Sequence, residues 1–148
     1  MIVLDASVIV DALLPRLGER HKRARSLLEV LAERRARVYA PRIMLVELAS
    51  VLSREKDPAL VRELVEELAS SISVLGEEKL FDLAYELAFE VRGRAVDAYY
   101  VAAAKLTKSI LVTCDETMAD NAKKAGVEAY FFIREFAEVE SRPREFPS

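Results

Sequence analysis

Short apolar runs alternate along this chain with longer segments in which apolar residues recur at helical spacing. Five runs have the length and the β-branched content that are typical of strands. They cover residues 2–5, 38–40, 72–75, 110–113 and 129–132. Helical patterns start near Val8, His21, Pro41, Pro58, Glu77 and Val96, and one more follows Asp115. The pattern therefore predicts strands and helices in regular alternation.

This alternation favours parallel strand pairing, because consecutive parallel strands need a helix-length connection between them. We predict a three-layer α/β/α sandwich with a central parallel sheet. Gly93 is expected to separate two helices, and Gly126 suits a helix C-terminus. No linker divides the chain, so residues 1–148 are expected to form one domain. The final segment RPREFPS should be irregular or dock on another surface.

Composition narrows the class of protein. With 148 residues, 52% of them hydrophobic, the chain can bury one substantial core but not two. No signal peptide or membrane-spanning stretch is evident, so we expect a cytoplasmic protein. The single cysteine, Cys114, excludes an intrachain disulfide framework. Glutamine is absent, Asn121 is the only asparagine and 32% of residues are charged, a bias that predicts a thermophilic source.

Four acidic side chains lie within or directly beside apolar runs, where a solvated charge is not expected: Asp5, Glu47, Asp97 and Asp115. Isolated buried carboxylates are strongly disfavoured, so four in one small domain suggest that they converge and share a cation. Two carboxylates about 4 Å apart repel by roughly 4 kcal/mol at an effective dielectric constant of about 20. A divalent cation removes this repulsion. Such a cluster is the chemistry of metal-dependent phosphodiester hydrolysis.

Two of these acids follow predicted strands. Asp5 ends the run MIVLD, and Asp115 follows SILVTC and opens a helical segment. The C-terminal ends of parallel strands form the edge at which α/β sheets bind ligands. The alternative for Asp5 is a helix N-cap.

The other two acids lie on predicted helices. Glu47 is in RIMLVELASVL, where its neighbours at helical spacing include Ile43, Met44 and Val51, so it projects from a mostly apolar face. Asp97 precedes AYYVAAA, a segment that should be buried nearly all round. It either caps the free N–H groups of the first turn or points into a site beside them.

Charge gives a mixed indication. The net charge of −3 is unusual for a protein that binds nucleic acid. Between Arg16 and Arg37, however, basic residues outnumber acidic ones, which would give a local patch that attracts phosphate. A solvated helix face is the alternative. His21, the only histidine, lies in this stretch and suits a surface or phosphate-contact role.

Four segments resemble, in this order, the PIN-domain nucleases, and most closely the VapC-type ribonuclease toxins of prokaryotic toxin–antitoxin pairs. They are MIVLDASVIVDALL, LVELASVL, DAYYVAAA and ILVTCDETMADNAKKAG. The resemblance spans almost the whole chain. It implies a central parallel sheet with acidic residues at its C-terminal edge, Mg²⁺ or Mn²⁺ bound there, and endonucleolytic cleavage of RNA.

The resemblance also implies roles for the acids, position by position. Asp5 and Asp97 would be the principal metal ligands, and Asp115 would complete the acidic cluster. Glu47 would orient a metal-bound water or hold a second ion.

Smaller positions follow from the same resemblance. Ser7 and Thr113 match the small polar positions beside the first and last acids. Many relatives carry a further acid two residues beyond the last aspartate, where this chain has Thr117, and this weakens the case for a second metal ion. Asp11, one turn after Ser7 on the first helix, is expected to be a surface charge.

Partners are implied by the resemblance alone. It implies a homodimer, held inactive by a small antitoxin that inserts a basic residue among the acids. An aromatic cluster near the C-terminus would suit such a contact, although a core strand explains most of it. It consists of Tyr130, Phe131, Phe132 and Phe136.

Three other functions share part of this sequence pattern. A HAD-type phosphatase also places an aspartate after its first strand, but it needs a second one two residues later, where this chain has Ser7. A thiol phosphatase needs arginine at the sixth position after Cys114, which Asp120 occupies. A PIN-like binding module would keep the fold and lose the chemistry.

Overall fold

Five parallel strands form the centre of the protein. The computed structural model describes residues 1–145, with side chains as far as Pro143. The strands are β1 (Ile2–Leu4), β2 (Val38–Pro41), β3 (Ser73–Leu75), β4 (Ile110–Thr113) and β5 (Ala129–Phe131). They lie in the order β3-β2-β1-β4-β5, and Val3 pairs with Tyr39 on one side and with Leu111 on the other. The strand order therefore makes β1 and β4 neighbours although they are distant in sequence.

Eight α-helices flank this sheet within the described residues. They are α1 (Ala6–Leu13), α2 (Glu19–Glu33), α3 (Ile43–Leu52), α4 (Pro58–Ser71), α5 (Glu77–Glu90), α6 (Ala95–Thr107), α7 (Glu116–Lys124) and α8 (Phe132–Ser141). Short 3-10 turns cover Pro15–Leu17 and Arg142–Glu145. The predicted α/β/α sandwich with a central parallel sheet is confirmed.

The central strands are buried on both faces, as their unbroken apolar sequences suggest. Ile2, Val3 and Leu111 have no exposed surface, and Leu4 is 1% exposed. Helix α6 packs against β1, β2 and β4, and its alanine-rich sequence lets it approach the sheet closely. The core therefore fixes the ends of β1 and β4, which position the candidate site.

Most element boundaries agree with the prediction to within two residues. Gly126 follows α7 with φ +85°, the left-handed conformation expected of a C-terminal glycine. The helix expected near Pro41 begins at Ile43, after Pro41 ends β2. One expectation was wrong: Phe132 was assigned to the last strand, but it begins helix α8, which directly follows β5.

The C-terminal region continues from α8 into a 3-10 turn. The Arg142–Glu145 turn begins the segment RPREFPS, and residues 146–148 lie outside the described residues. Among the predicted aromatic cluster, Phe132 is buried, and Tyr130 and Phe136 pack against the core. No helix in the described part of the chain has the length and apolarity needed to cross a bilayer.

Candidate acidic active site

The candidate site lies at the carboxyl ends of β1 and β4. The chain places β2 and β3 on one side of β1, and β4 and β5 on the other, so the strand order reverses between β1 and β4. Ligands of parallel α/β sheets bind at such a switch point, because the loops diverge there and leave a crevice. Asp5 directly follows β1, and Asp115 follows β4 with one residue, Cys114, between them.

Asp5 occupies the N-cap position of α1 but makes no capping hydrogen bond. Its Oδ2 instead accepts hydrogen bonds from the hydroxyls of Ser7 and Thr113, both at 2.7 Å. Burial raises the pKa of Asp5, the two hydroxyls oppose this, and the charge of Asp97 raises the pKa further. Asp5 is therefore not a simple helix cap.

The two hydroxyls also join the ends of the central strands. Ser7 Oγ accepts a hydrogen bond from the backbone N–H of Cys114 at 3.0 Å, and Thr113 Oγ1 accepts one from that of Asp115 at 3.0 Å. Each hydroxyl therefore donates to Asp5 and accepts from the β4–α7 connection. The pair fixes the direction of the Asp5 carboxylate.

Asp97 and Asp115 each divide their two oxygens between a helix and a cation. Asp97 Oδ2 accepts from the backbone N–H of Arg94 at 3.2 Å, and Asp115 Oδ1 accepts from that of Met118 at 3.1 Å. The remaining oxygens, Asp97 Oδ1 and Asp115 Oδ2, lie 3.1 and 3.7 Å from Nη2 of Arg94. Capping and site formation are therefore compatible for both residues.

Glu47 reaches the site through Tyr100. The Tyr100 hydroxyl donates to Glu47 Oε1 at 2.7 Å and accepts from the backbone N–H of Ala6 at 3.2 Å. Tyr100 has no exposed surface, and burial raises its pKa, so it remains a neutral donor. Burial also raises the pKa of Glu47, and the charges of Asp5 and Asp97 act in the same direction.

Arg94 and Tyr100 are two residues of this site that the sequence analysis missed. Both flank Asp97 at helical spacing, three residues before it and three after it, so they share its side of the helix start. This spacing was the available signal. Nothing in the sequence alone indicated that the guanidinium would lie among the acids.

The backbone passes close to Asp97 at Gly93. A Cβ atom on Gly93 would lie 2.9 Å from Asp97 Oδ2 and 3.4 Å from Asn121 Nδ2, so a larger residue would collide there. Asn121 Nδ2 is buried and has no hydrogen-bond partner among the described residues. A buried donor of this kind is usually satisfied by an ordered water.

Asp11 corrects one expectation, since it is not a surface charge. It is 2% exposed, and Arg20 binds both of its oxygens, at 2.9 and 3.0 Å. The thiol of Cys114 also donates to Asp11 Oδ2, at 3.4 Å. Burial, together with the charge of Asp11, raises the pKa of Cys114 to about 12, so this cysteine is a thiol at neutral pH. His21 donates from Nδ1 to the Asp11 carbonyl at 3.0 Å.

The positive charge of the basic stretch between residues 16 and 37 is partly compensated by ion pairs. The ion pairs within it or involving it are Arg16–Glu55, Arg20–Asp11, Lys22–Glu19 and Arg25–Glu29. The guanidinium of Arg23 lies 3.6 Å above the ring of Phe136. These contacts favour the solvated helix face over a free phosphate-attracting patch.

The carboxylates suit a divalent ion by their chemistry. Mg²⁺ and Mn²⁺ prefer oxygen ligands, and Mg²⁺ is commonly held by one or two carboxylates with water completing its shell. Asp97 and Asp115 each direct one oxygen at the positively charged guanidinium of Arg94. Among residues 1–143, whose side chains are described, no three His, Cys, Asp or Glu side chains are arranged to hold an ion by themselves. An ion held at this site would therefore need water as well as carboxylate oxygens among its ligands.

Fold and site together define a parallel α/β domain with an acidic cluster at its switch point. Residues 2–124 match the model of the PIN domain family, so the chain belongs to this family, whose members are nucleases. The resemblance seen in the sequence is thereby confirmed at the level of the family. The HAD-type and thiol phosphatase alternatives lose their support.

Solved structures agree with this fold. FitAB bound to the IR36 DNA fragment is 22% identical, with a TM-score of 0.68, and the match covers 88% of this chain and 94% of that one. PAE2754 from Pyrobaculum aerophilum is 19% identical, with a TM-score of 0.67 and coverage of 98% and 90%. VapBC2 from Rickettsia felis, bound to a promoter DNA fragment, is 18% identical, with a TM-score of 0.64 and coverage of 88% and 98%. A search of curated proteins found no match.

Proposed function

We propose that this protein is a Mg²⁺- or Mn²⁺-dependent endoribonuclease and the toxin of a VapBC-type pair. The observation that carries the proposal is the shared orientation of Asp97 and Asp115. Each caps its own helix with one oxygen and directs the other at the Arg94 guanidinium, and Asp5 directly follows the neighbouring strand β1. Family membership supports a nuclease, and the resemblance to VapC-type toxins supports RNA as its substrate.

Each acid has a role that its contacts support. Asp5, Asp97 and Asp115 would hold the ion, and Glu47 would accept a proton from the attacking water while Tyr100 fixes its orientation. A bound Mg²⁺ or Mn²⁺ would supply charge that polarises the phosphate and lowers the pKa of the attacking water. The hydroxyls of Ser7 and Thr113 would keep Asp5 directed at the site.

The experiment is a cleavage assay on single-stranded RNA. Purified protein should cleave RNA with Mg²⁺ or Mn²⁺, stop when EDTA is added, and leave p-nitrophenyl phosphate intact. An exposed aspartate on α7, Asp120, provides the control, and Asp120→Asn should cleave like the wild type. Turnover of p-nitrophenyl phosphate without RNA cleavage would refute the proposal.

A second candidate, the PIN-like binding module without chemistry, shares the fold. All four acids are present in this chain, which favours the enzyme. RNA binding that survives EDTA, with no cleavage under any divalent ion, would instead support the binding module.

The antitoxin is proposed from similarity to toxin–antitoxin complexes. One of these is a toxin–antitoxin complex from Klebsiella pneumoniae, at 16% identity and a TM-score of 0.60. The site is open to such a partner, since the side chain of Asp115 is 37% exposed and that of Arg94 is 62% exposed. A neighbouring short gene for a DNA-binding protein, whose product blocks cleavage when co-purified, would support the pairing.

A homodimer is also part of the proposal. Phe81, Tyr85 and Phe89 form an exposed aromatic stripe on α5, with 53%, 55% and 68% of their surface accessible. Their rings contact one another in sequence, with centroids 6.0 and 5.2 Å apart. Exposed apolar patches of this kind often mark interfaces. Light scattering should show a dimer for the wild type and a monomer for Phe89→Ser, whereas a monomeric wild type would contradict the homodimer.

A further inference from the structure

Arg94 introduces a positive charge among the four proposed site acids. Its Nη2 lies near Asp97 Oδ1 and Asp115 Oδ2, and its charge acts on Asp5 and Glu47 as well. No other lysine or arginine in the described part of the chain forms an ion pair with these acids. One side chain therefore compensates a cluster that would otherwise repel itself.

The geometry of Arg94 is that of a loosely held counter-ion. A single nitrogen serves both carboxylates, the longer contact of 3.7 Å exceeds a hydrogen bond, and the side chain is 62% exposed. Arg20, in contrast, binds both oxygens of Asp11 at hydrogen-bond distance. Asp97 is buried, but the guanidinium of Arg94 is exposed to solvent, which weakens both of its ion pairs and leaves room for the side chain to move.

The two oxygens that face Arg94 are also those left free by helix capping. A divalent ion bound by Asp97 Oδ1 and Asp115 Oδ2 would compete with the guanidinium for the same partners. Like charges repel, and the ion carries twice the charge of the arginine. The ion and the Arg94 guanidinium would therefore not share these oxygens.

We propose that Arg94 is the counter-ion of the acidic site in the metal-free protein, that a divalent ion displaces it, and that the displaced guanidinium binds the phosphodiester of the RNA. The proposal rests on the proposed nuclease function. Its last part follows from chemistry: a guanidinium offers paired N–H donors that match two phosphate oxygens, and a long exposed side chain can turn toward a substrate at the rim.

Mn²⁺ binding tests the displacement without any cleavage assay. Isothermal titration of metal-free protein with Mn²⁺ alone should show that Arg94→Gln binds about threefold to tenfold tighter than the wild type, because the competing cation is gone. Arg94→Lys keeps the charge and should stay near the wild type. The backbone N–H of residue 94, which donates to Asp97 Oδ2, remains in each variant, so this contact at the helix start is preserved.

Arg92 is the matched control. It lies two residues away on the same connection, is exposed, and forms no ion pair among the described residues. Arg92→Gln should leave the dissociation constant of Mn²⁺ unchanged, which separates a specific counter-ion from a general change in net charge. Equal or weaker Mn²⁺ binding by Arg94→Gln would overturn the displacement, as would an equal gain in Arg92→Gln or no Mn²⁺ binding by any of the proteins.

RNA kinetics test the phosphate contact. Both Arg94→Gln and Arg94→Lys should raise KM for single-stranded RNA by roughly tenfold, since lysine lacks the planar fork, while kcat changes less. Arg92→Gln should retain the wild-type KM. An unchanged KM in Arg94→Gln would refute the contact. If the wild type cleaves no RNA, the proposed function and the contact both fail, and the Mn²⁺ titration still decides the counter-ion role.

Discussion

Two buried aspartates near the start of the chain differ in the partners that hold them. Asp5 is 3% exposed and Asp11 is 2% exposed. Asp5 accepts hydrogen bonds from the neutral hydroxyls of Ser7 and Thr113. Asp11 is bound through both oxygens by the cation Arg20. The two residues are buried to nearly the same extent, but within the described part of the chain Asp11 alone of the two has a cation that balances its charge.

This difference shows that burial alone does not identify a functional carboxylate. The Arg20 contact compensates the charge of Asp11 within the fold, so Asp11 has a structural role. Asp5 has no ion-pair partner among the described residues, and burial raises its pKa. A carboxylate in that condition gains from an added cation, whereas a compensated one does not. The ion-pair partner of the carboxylate, and not its burial, separates the two roles.

The largest expected effect is on activity. Asp5→Asn should reduce RNA cleavage roughly 100-fold or more, because it removes a proposed ligand charge. Asp11→Asn should leave the rate per folded molecule unchanged. Cleavage rates in Mn²⁺, normalised to the folded fraction from circular dichroism, provide the measurement. Equal losses in both variants would contradict the distinction between the two aspartates.

The fold was predictable because its signals are local. The apolar runs of β1 and β4 and the helical periodicity between them fixed the elements to within two residues in most cases. Helix α8 was not recognised, because its first residue, Phe132, directly follows Tyr130 and Phe131 of β5 and the three aromatic residues read as one strand. The strand order that makes β1 and β4 neighbours was also beyond the sequence, since pairing of distant strands depends on the packing of the whole domain.

The candidate site was predictable only in part. The four acids were found because each interrupts an apolar context, and Asp5 and Asp97 are indeed buried. Their partners were not found. Arg94 and Tyr100 look like an ordinary exposed cation and a core aromatic, and Asp11 looked exposed because the sequence does not show that Arg20 folds back onto it.

The second prediction concerns stability in the absence of metal. Asp11→Asn should lower the free energy of unfolding by about 2 kcal/mol, since it breaks a charge-assisted pair in a buried position. Asp5→Asn should not lower it, because the amide removes an unfavourable buried charge. Urea unfolding in EDTA measures both, and a destabilised Asp5→Asn with an unaffected Asp11→Asn would reverse the assignment.

Metal sharpens the same comparison. The Mn²⁺ concentration is set at a hundredfold excess over the dissociation constant of the wild type. It should stabilise the wild type and Asp11→Asn by about 2.7 kcal/mol, and Asp5→Asn much less. A thermal unfolding scan of the wild type also tests the thermophilic origin predicted from composition. Such an origin would place the melting temperature above about 65 °C.

The smallest expected effect is a pH dependence of stability that comes from the titration of Asp5. The pKa of Asp5 is raised in the folded protein, so its contribution to stability is present below the ordinary value of 3.8 and is lost as the pH rises through the folded pKa. Asp5→Asn lacks this titration. The metal-free wild type should therefore lose stability relative to Asp5→Asn as the pH rises above 3.8. Thr113→Val removes a donor to Asp5 and should move this loss to higher pH, whereas Thr107→Val, whose hydroxyl donates to the Ala103 carbonyl, should not. Urea midpoints at increasing pH in EDTA decide the point, and parallel curves for the wild type and Asp5→Asn would show that Asp5 is as well compensated as Asp11.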